Sequence, residues 1–79
     1  RRIAILGIIV GDTDSAERVN ELLHEYREFI VGRMGMPYRE RGISVISVVM
    51  DADTNTVSAL SGKLGMTPGV SAKAVYSKT

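Results

Sequence analysis

Apolar residues recur along this chain at two spacings, every second position and every third or fourth, and their succession predicts the fold. From Arg2 to Val10 the chain is almost continuously Ile, Leu, Val, Ala and Gly. That run predicts a central strand covered by helices on one face and by something else on the other. Gly11-Asp12-Thr13 breaks it. Asp14-Ser15-Ala16-Glu17 then reads as a helix start, with Asp14 capping free amides and Glu17 reaching back. Ala16, Val19, Leu22, Leu23, Tyr26 and Ile30 follow at helical spacing, and the charged residues of the segment fall largely elsewhere. This predicts an amphipathic helix with one buried stripe.

From Phe29 to Tyr38 the helical spacing fails. Gly32 and Gly35 weaken a helix and Pro37 breaks one, so the segment reads as a second strand ending near Pro37. Alternation places Met34 and Met36 on one face of it and Arg33 on the other. Arg39-Glu40-Arg41-Gly42 is a polar turn with glycine available for a positive φ, and Ile43 to Met50 alternates as a third strand, completing a hairpin. Asp51-Ala52-Asp53-Thr54 opens a second helix, capped by Asp53 or Thr54. Its apolar stripe is Val57, Leu60 and Leu64, and the small residues Ala59, Ser61 and Gly62 between them are expected to allow close approach to a sheet. Lys63 complements the negative helix end and Gly65 stops it. Pro68-Gly69 turns the chain into a fourth alternating strand, Val70 to Tyr76.

The order β-α-β-β-α-β with right-handed crossovers predicts an α+β, ferredoxin-like sandwich: a four-stranded antiparallel sheet, strands 1 and 3 central, two helices on one face. Strand 1 is apolar on both sides, with Ile3, Ile5 and Ile9 opposite Ala4, Leu6, Ile8 and Val10. Strand 3 likewise sets Val45 and Val49 against Ile46, Val48 and Met50. A sheet with one face in water alternates more cleanly than this. The face away from the helices is therefore expected to be an interface, involving Met34, Met36, Val45 and Val49 and closed most simply by another copy of the chain, as a dimer or tetramer.

Composition sharpens this picture. The 79 residues fit one domain, residues 1–79, of a size that often gains stability by self-association. Ten basic and nine acidic residues leave a net charge of +1, which argues against a strong electrostatic grip on nucleic acid or an anionic membrane. The absence of cysteine removes disulfide and thiolate chemistry and suits a cytoplasmic protein. Ile3 to Val10 is too short to span a bilayer. Arg1-Arg2 ahead of it resembles a signal-peptide start, but Gly11-Asp12-Thr13-Asp14 follows where a small-residue cleavage region would stand.

The residues offer little chemistry. His24 is the only histidine, so no metal site and no cofactor are expected. Serines are plentiful but none lies in a G-x-S-x-G elbow, and His24 is the only imidazole base, so the chain is expected not to be an enzyme. Ser61-Gly62-Lys63-Leu64-Gly65 has the wrong context for a phosphate loop, since it ends a helix. RNA-recognition modules share this strand order but stack bases on sheet aromatics, and strand 3 has none. Gly11-Asp12 could offer loop amides to an anion, although an ordinary strand-to-helix turn accounts for it more simply. Arg33 and Arg39 suit an anionic effector or a partner subunit, with a solvated turn cluster as the plainer account.

"RMGMP" (Arg33 to Pro37), Arg39-Glu40, an apolar strand and "ALSGKLGMTPGV" (Ala59 to Val70) resemble the small proteins known as putative iron-only hydrogenase system regulators, as does "NELLHEY" in the first helix. The resemblance spans essentially the whole chain. It implies an ACT-like domain, related in shape to the regulatory domain of the nickel-responsive repressor. Such domains are not enzymes; they pair through their sheets and bind a small effector at or near the interface. The family's association with [FeFe]-hydrogenase systems of anaerobic bacteria implies a cytoplasmic regulatory role with a protein partner in such a system. On this reading the effector is expected near Gly11, Asp12, Arg33 and Arg39. The nickel repressor's several histidines and cysteine have no counterpart beyond His24, so nickel sensing is not implied. Its separate DNA-binding segment is not expected ahead of a strand that starts at Arg2. The alternatives are an assembly module without a ligand, a small dimeric α+β enzyme and an RNA-binding domain.

Overall fold

The computed structural model describes residues 1–78. Strands β1 (Arg2–Val10), β2 (Ile30–Tyr38), β3 (Ile43–Ala52) and β4 (Val70–Tyr76) alternate with helices α1 (Ala16–Glu25) and α2 (Thr54–Gly65) in the expected order. The sheet runs β2-β3-β1-β4 and every pairing is antiparallel. This is the ferredoxin-like arrangement: the apolar runs of β1 and β3 lie side by side at its centre, and β2 and β4 form the edges.

The strand period of two divides the sheet cleanly. Ala4, Leu6, Ile8 and Val10 of β1 and Ile46, Val48, Met50 and Ala52 of β3 are buried. They pack against Val19, Leu22 and Leu23 of α1 and Val57, Leu60 and Leu64 of α2, forming one core between sheet and helices. The α2 stripe is the expected one. Ala59 and Gly62, however, are exposed: the steps of three and four residues from Val57 to Leu60 and on to Leu64 already cover the sheet, and the small residues fall on the solvent side.

The start of α1 differs from expectation. Asp14 does not cap it. A short 3-10 turn (Thr13–Ser15) comes first, and Asp12 Oδ1 accepts from the Asp14 amide at 3.0 Å. Ser15 occupies the cap position, but its hydroxyl donates instead to the Pro68 carbonyl at 2.6 Å, tying the β1–α1 loop to the α2–β4 loop. Ala16, expected in the buried stripe, is exposed beside β2. Ile30 starts β2 rather than extending the helical stripe, because α1 ends at Glu25 and a second 3-10 turn (Arg27–Phe29) intervenes.

β3 runs two residues past Met50, since Asp51 pairs with Ile3 and Ala52 with Arg2. The exposed pair Arg1–Asp51, 3.3 Å apart, closes that end of the sheet. The hairpin turn is as expected: Gly42 adopts φ 64° and its amide donates to the Arg39 carbonyl at 3.1 Å. At the end of α2, Lys63 reaches Glu25 at 3.2 Å and lies 5.0 Å from the centre of the Tyr26 ring, linking the two helices.

Asp53 caps α2, its Oδ1 accepting from the Thr56 amide at 2.7 Å, and this bond holds its carboxyl below the usual carboxylate range. A depressed folded-state pKa contributes stability that is full above the unfolded pKa and is lost as pH falls through the folded one. Asp53→Ala is therefore expected to destabilise the chain near neutrality, with a difference from wild type that shrinks progressively below about pH 4. Urea denaturation at a series of pH values reads this, and a difference constant down to pH 2 would contradict the cap.

Candidate functional site

Three surfaces bear on function. The first is the sheet face away from the helices. Cross-strand register puts Met36, Val45, Ile9 and Ser71 in one row, Met34, Ser47, Gly7 and Lys73 in the next, and Gly32, Val49, Ile5 and Val75 in a third. Tyr38 and Ile43 continue the face at one end and Ile3 at the other. Ile3, Ile5, Ile9, Met34, Met36, Tyr38, Val45 and Val75 are all exposed large hydrophobics. Ile5 on the central strand is 48% exposed and Met34 on the edge strand 72%. Val49 is half-buried among its neighbours. Gly7 leaves a shallow depression in the middle of the face, bordered by Ile9, Val45, Ser71 and Lys73.

The second is the end of the sheet where β1 stops, β4 begins and the β2–β3 hairpin turns. Gly11, Asp12 and Arg39 are all here, as register requires: Val10 lies opposite both Ser44 and Val70, and Ser44 opposite Pro37. The amides of Gly11, Asp14 and Ser15 are engaged, however. Gly11 N–H donates to the Gly69 carbonyl at 2.7 Å, and Asp12 uses its carboxylate on Asp14 and its carbonyl on Ser15. Gly69, at φ 72°, lies so close to Asp12 that a Cβ there would stand 2.6 Å from the Asp12 Cβ. Arg39 is exposed in the hairpin turn.

The third surface is a trough between α1 and β2. One part is a cleft of about 200 Å³ lined by Val10, Ala16, Val19, Asn20, Arg33, Gly35, Met36, Pro37, Ser44 and Ile46. The other, about 330 Å³, is lined by Asn20, Leu23, His24, Arg27, Ile30 and Arg33. The two share Asn20 and Arg33, whose Nη2 donates to Asn20 Oδ1 at 3.1 Å. The cleft exists because the residues of β2 that face the helices are Arg33, Gly35 and Pro37, which supply little apolar bulk, and because α1 presents the small Ala16 there. Of the residues named from sequence for effector binding, Arg33 lines this trough; Gly11, Asp12 and Arg39 do not. Asn20, Gly35 and Ser44 were not anticipated. Nothing in the sequence marks them as companions of Arg33.

Among the described residues no group of three or more His, Cys, Asp or Glu side chains is placed to hold a metal ion, and no helix is long and apolar enough to cross a membrane.

Comparison with known proteins places this architecture. The chain is similar over 98% of its length to the structure of the uncharacterized protein TM1266 from Thermotoga maritima, with 98% of that chain covered, a TM-score of 0.92 and 47% identity. It also superposes on a formyltetrahydrofolate deformylase from Pseudomonas putida KT2440 with a TM-score of 0.66 over 92% of this chain. That match covers 28% of the enzyme at 15% identity, a likeness of fold alone. No curated protein shows a significant match. The family model described as TM1266-like, "Iron-only hydrogenase system regulator, putative", matches residues 2–74. With the family model covering nearly every residue of the fold, the chain belongs to the TM1266-like family, whose model carries that description.

Proposed function

We propose that this chain is a non-enzymatic regulatory domain of an iron-only hydrogenase system, working as a homo-oligomer joined through the open sheet face and responding to a small effector or a protein partner. The observation that carries this reading is that face. Isoleucines of the central strand β1 and methionines of the edge strand β2 make it apolar nearly from end to end. An apolar surface of this kind on a soluble protein marks an interaction site. Four strands of about nine residues span roughly 30 Å by 19 Å, a footprint of about 600 Å² before side-chain relief is counted. A standard interface takes about 800 Å² from each partner, so the face is of a size to support a stable symmetric pair. Its polar residues are few, Ser47, Ser71 and Lys73 within the rows and Asp51 opposite Ile3 at one end, and Lys73 lies on the edge strand β4, where its ammonium reaches water from a covered face.

The regulatory role is supported by family membership and by the scarcity of catalytic groups: one histidine, no cysteine and, among the described residues, no group of three or more His, Cys, Asp or Glu side chains placed to hold a metal ion. It is tested by disrupting the gene in a host that carries an iron-only hydrogenase and measuring hydrogenase abundance and hydrogen production. Disruption is expected to change one or both, wild-type protein to restore them, and an Ile5→Glu protein, which places a charge on the open face, to fail. Unchanged hydrogenase behaviour after disruption would contradict the regulatory role, and full restoration by Ile5→Glu would contradict the part assigned to the face.

A further inference from the structure

We propose that the trough between α1 and β2 is a binding site for a small organic anion, a short-chain carboxylate whose head group meets Arg33 and whose apolar body enters the cleft floored by Val19 and Ile46. This deepens the effector-responsive reading above by naming a place and a ligand class. The charge pattern of α1 points to it. Asn20, His24 and Arg27 line the trough, whereas Glu17, Glu21 and Glu28 do not, and Glu25 is turned to Lys63 on the other side. No carboxylate lines either part of the trough, and among the described residues Arg33 has no ion-pair partner. A guanidinium carries five N–H donors in a fixed fork suited to a carboxylate. The 3.1 Å bond to Asn20 uses one side of that fork and holds the group at the mouth of the cleft. Arg27, whose Nη1 donates to the His24 carbonyl at 3.0 Å, adds positive charge next to it.

The other end of the trough is apolar, with Val10, Val19, Pro37 and Ile46 around the open space above Gly35. A Cβ added at Gly35 would meet only Ile46 Cγ1, at 3.9 Å. A volume of about 200 Å³ corresponds to the liquid volume of about seven waters, the bulk of a chain of four to six carbons. The same strand carries Met34, Met36 and Tyr38 on the open sheet face. A ligand that fixes Arg33 and Gly35 therefore also fixes the outer column of the proposed interface, which gives the site a route to the assembly.

The test is a two-dimensional amide NMR titration of the full chain with hexanoate, hexanamide and inorganic phosphate, run beside sedimentation velocity on the same samples. Hexanoate is expected to saturate with a dissociation constant on the order of 1 mM or below, shifting residues of α1 and β2. Hexanamide and phosphate, each lacking half of the recognition, are expected to bind at least tenfold more weakly. Arg33→Gln is expected to weaken hexanoate at least tenfold. Gly35→Val, which fills the cleft with a side chain suited to a strand, is expected to abolish the shifts while leaving the fold intact. No saturable shift with hexanoate at 20-fold the expected constant, or equal binding by Arg33→Gln, overturns the site. Phosphate binding as tightly as hexanoate overturns the ligand class. Loss of binding with the oligomer intact overturns this site alone; binding by a protein that sediments only as monomer supports the site and overturns the oligomeric reading.

Discussion

Gly69→Ala is expected to cost about 3 kcal/mol or more of folding stability, far beyond what one methyl group at a surface turn usually does. Two costs add at this position. The backbone sits at φ 72°, where a residue with a Cβ costs about 1–2 kcal/mol. The new Cβ would also stand 2.6 Å from the Asp12 Cβ and 3.1 Å from the Asp12 amide nitrogen, so main chain must move. The movement strains the Gly11 amide bond to Gly69 at 2.7 Å and the Ser15 hydroxyl bond to Pro68 at 2.6 Å. Ser15 is buried, and a broken bond there leaves its hydroxyl without water. Gly42→Ala supplies the control: φ is 64°, but nothing lies within 4 Å of the added Cβ, so only the backbone cost of about 1–2 kcal/mol applies. Thermal melts at one fixed protein concentration compare the two. At about 4–8 °C per kcal/mol for a domain of this size, Gly69→Ala is expected to melt at least ~12 °C below wild type, and Gly42→Ala at roughly half that depression or less. Equal losses would contradict the packing of the two loops.

Leu60→Ala is expected to cost about 2–5 kcal/mol. Leu60 is fully buried at the middle of the α2 stripe, with Val57 and Leu64 on either side and the sheet beneath. Truncation removes the transfer free energy of the lost carbons and leaves a cavity that a helix pinned by its Asp53 cap and its Lys63–Glu25 link is poorly placed to collapse. A domain commands roughly 5–15 kcal/mol in all, so the variant is expected to lose a large share of its stability. Met66→Ala, one residue beyond α2 and 86% exposed, is expected to change stability by no more than about 0.5 kcal/mol. Urea denaturation with an unchanged m-value separates the two.

The strands and both helices were legible from their apolar patterns: a short continuous apolar run in β1, apolar residues bounded by turn residues in β3 and β4, and steps of three and four in α1 and α2. The split of β2 into a methionine face and an arginine face followed from alternation alone, and cross-strand register places them so. What escaped notice depended on contacts remote in sequence. Asp14 reads as a helix cap locally, but the fold uses Asp12 and Ser15 to lock the β1–α1 loop against Pro68 and Gly69, residues more than fifty positions away. The same contacts engage Gly11 and Asp12, which sequence alone presented as free loop groups. Arg33 could be marked as a candidate by its type. Its companions Asn20 and Gly35 could not, because a cleft between a helix and an edge strand comes from what neither element supplies.

The central claim is that a second copy covers the open sheet face, and native mass spectrometry with sedimentation velocity at 1–50 μM tests it most directly on wild type and Ile5→Glu. Ile5 is 48% exposed on that face, so a glutamate there leaves the core between sheet and helices untouched while placing a charge at the centre of the proposed interface. The account predicts a wild-type dimer or tetramer and an Ile5→Glu monomer with the same helical circular dichroism. A wild-type protein that stays monomeric across this range, or an Ile5→Glu protein that assembles as wild type does, would contradict it.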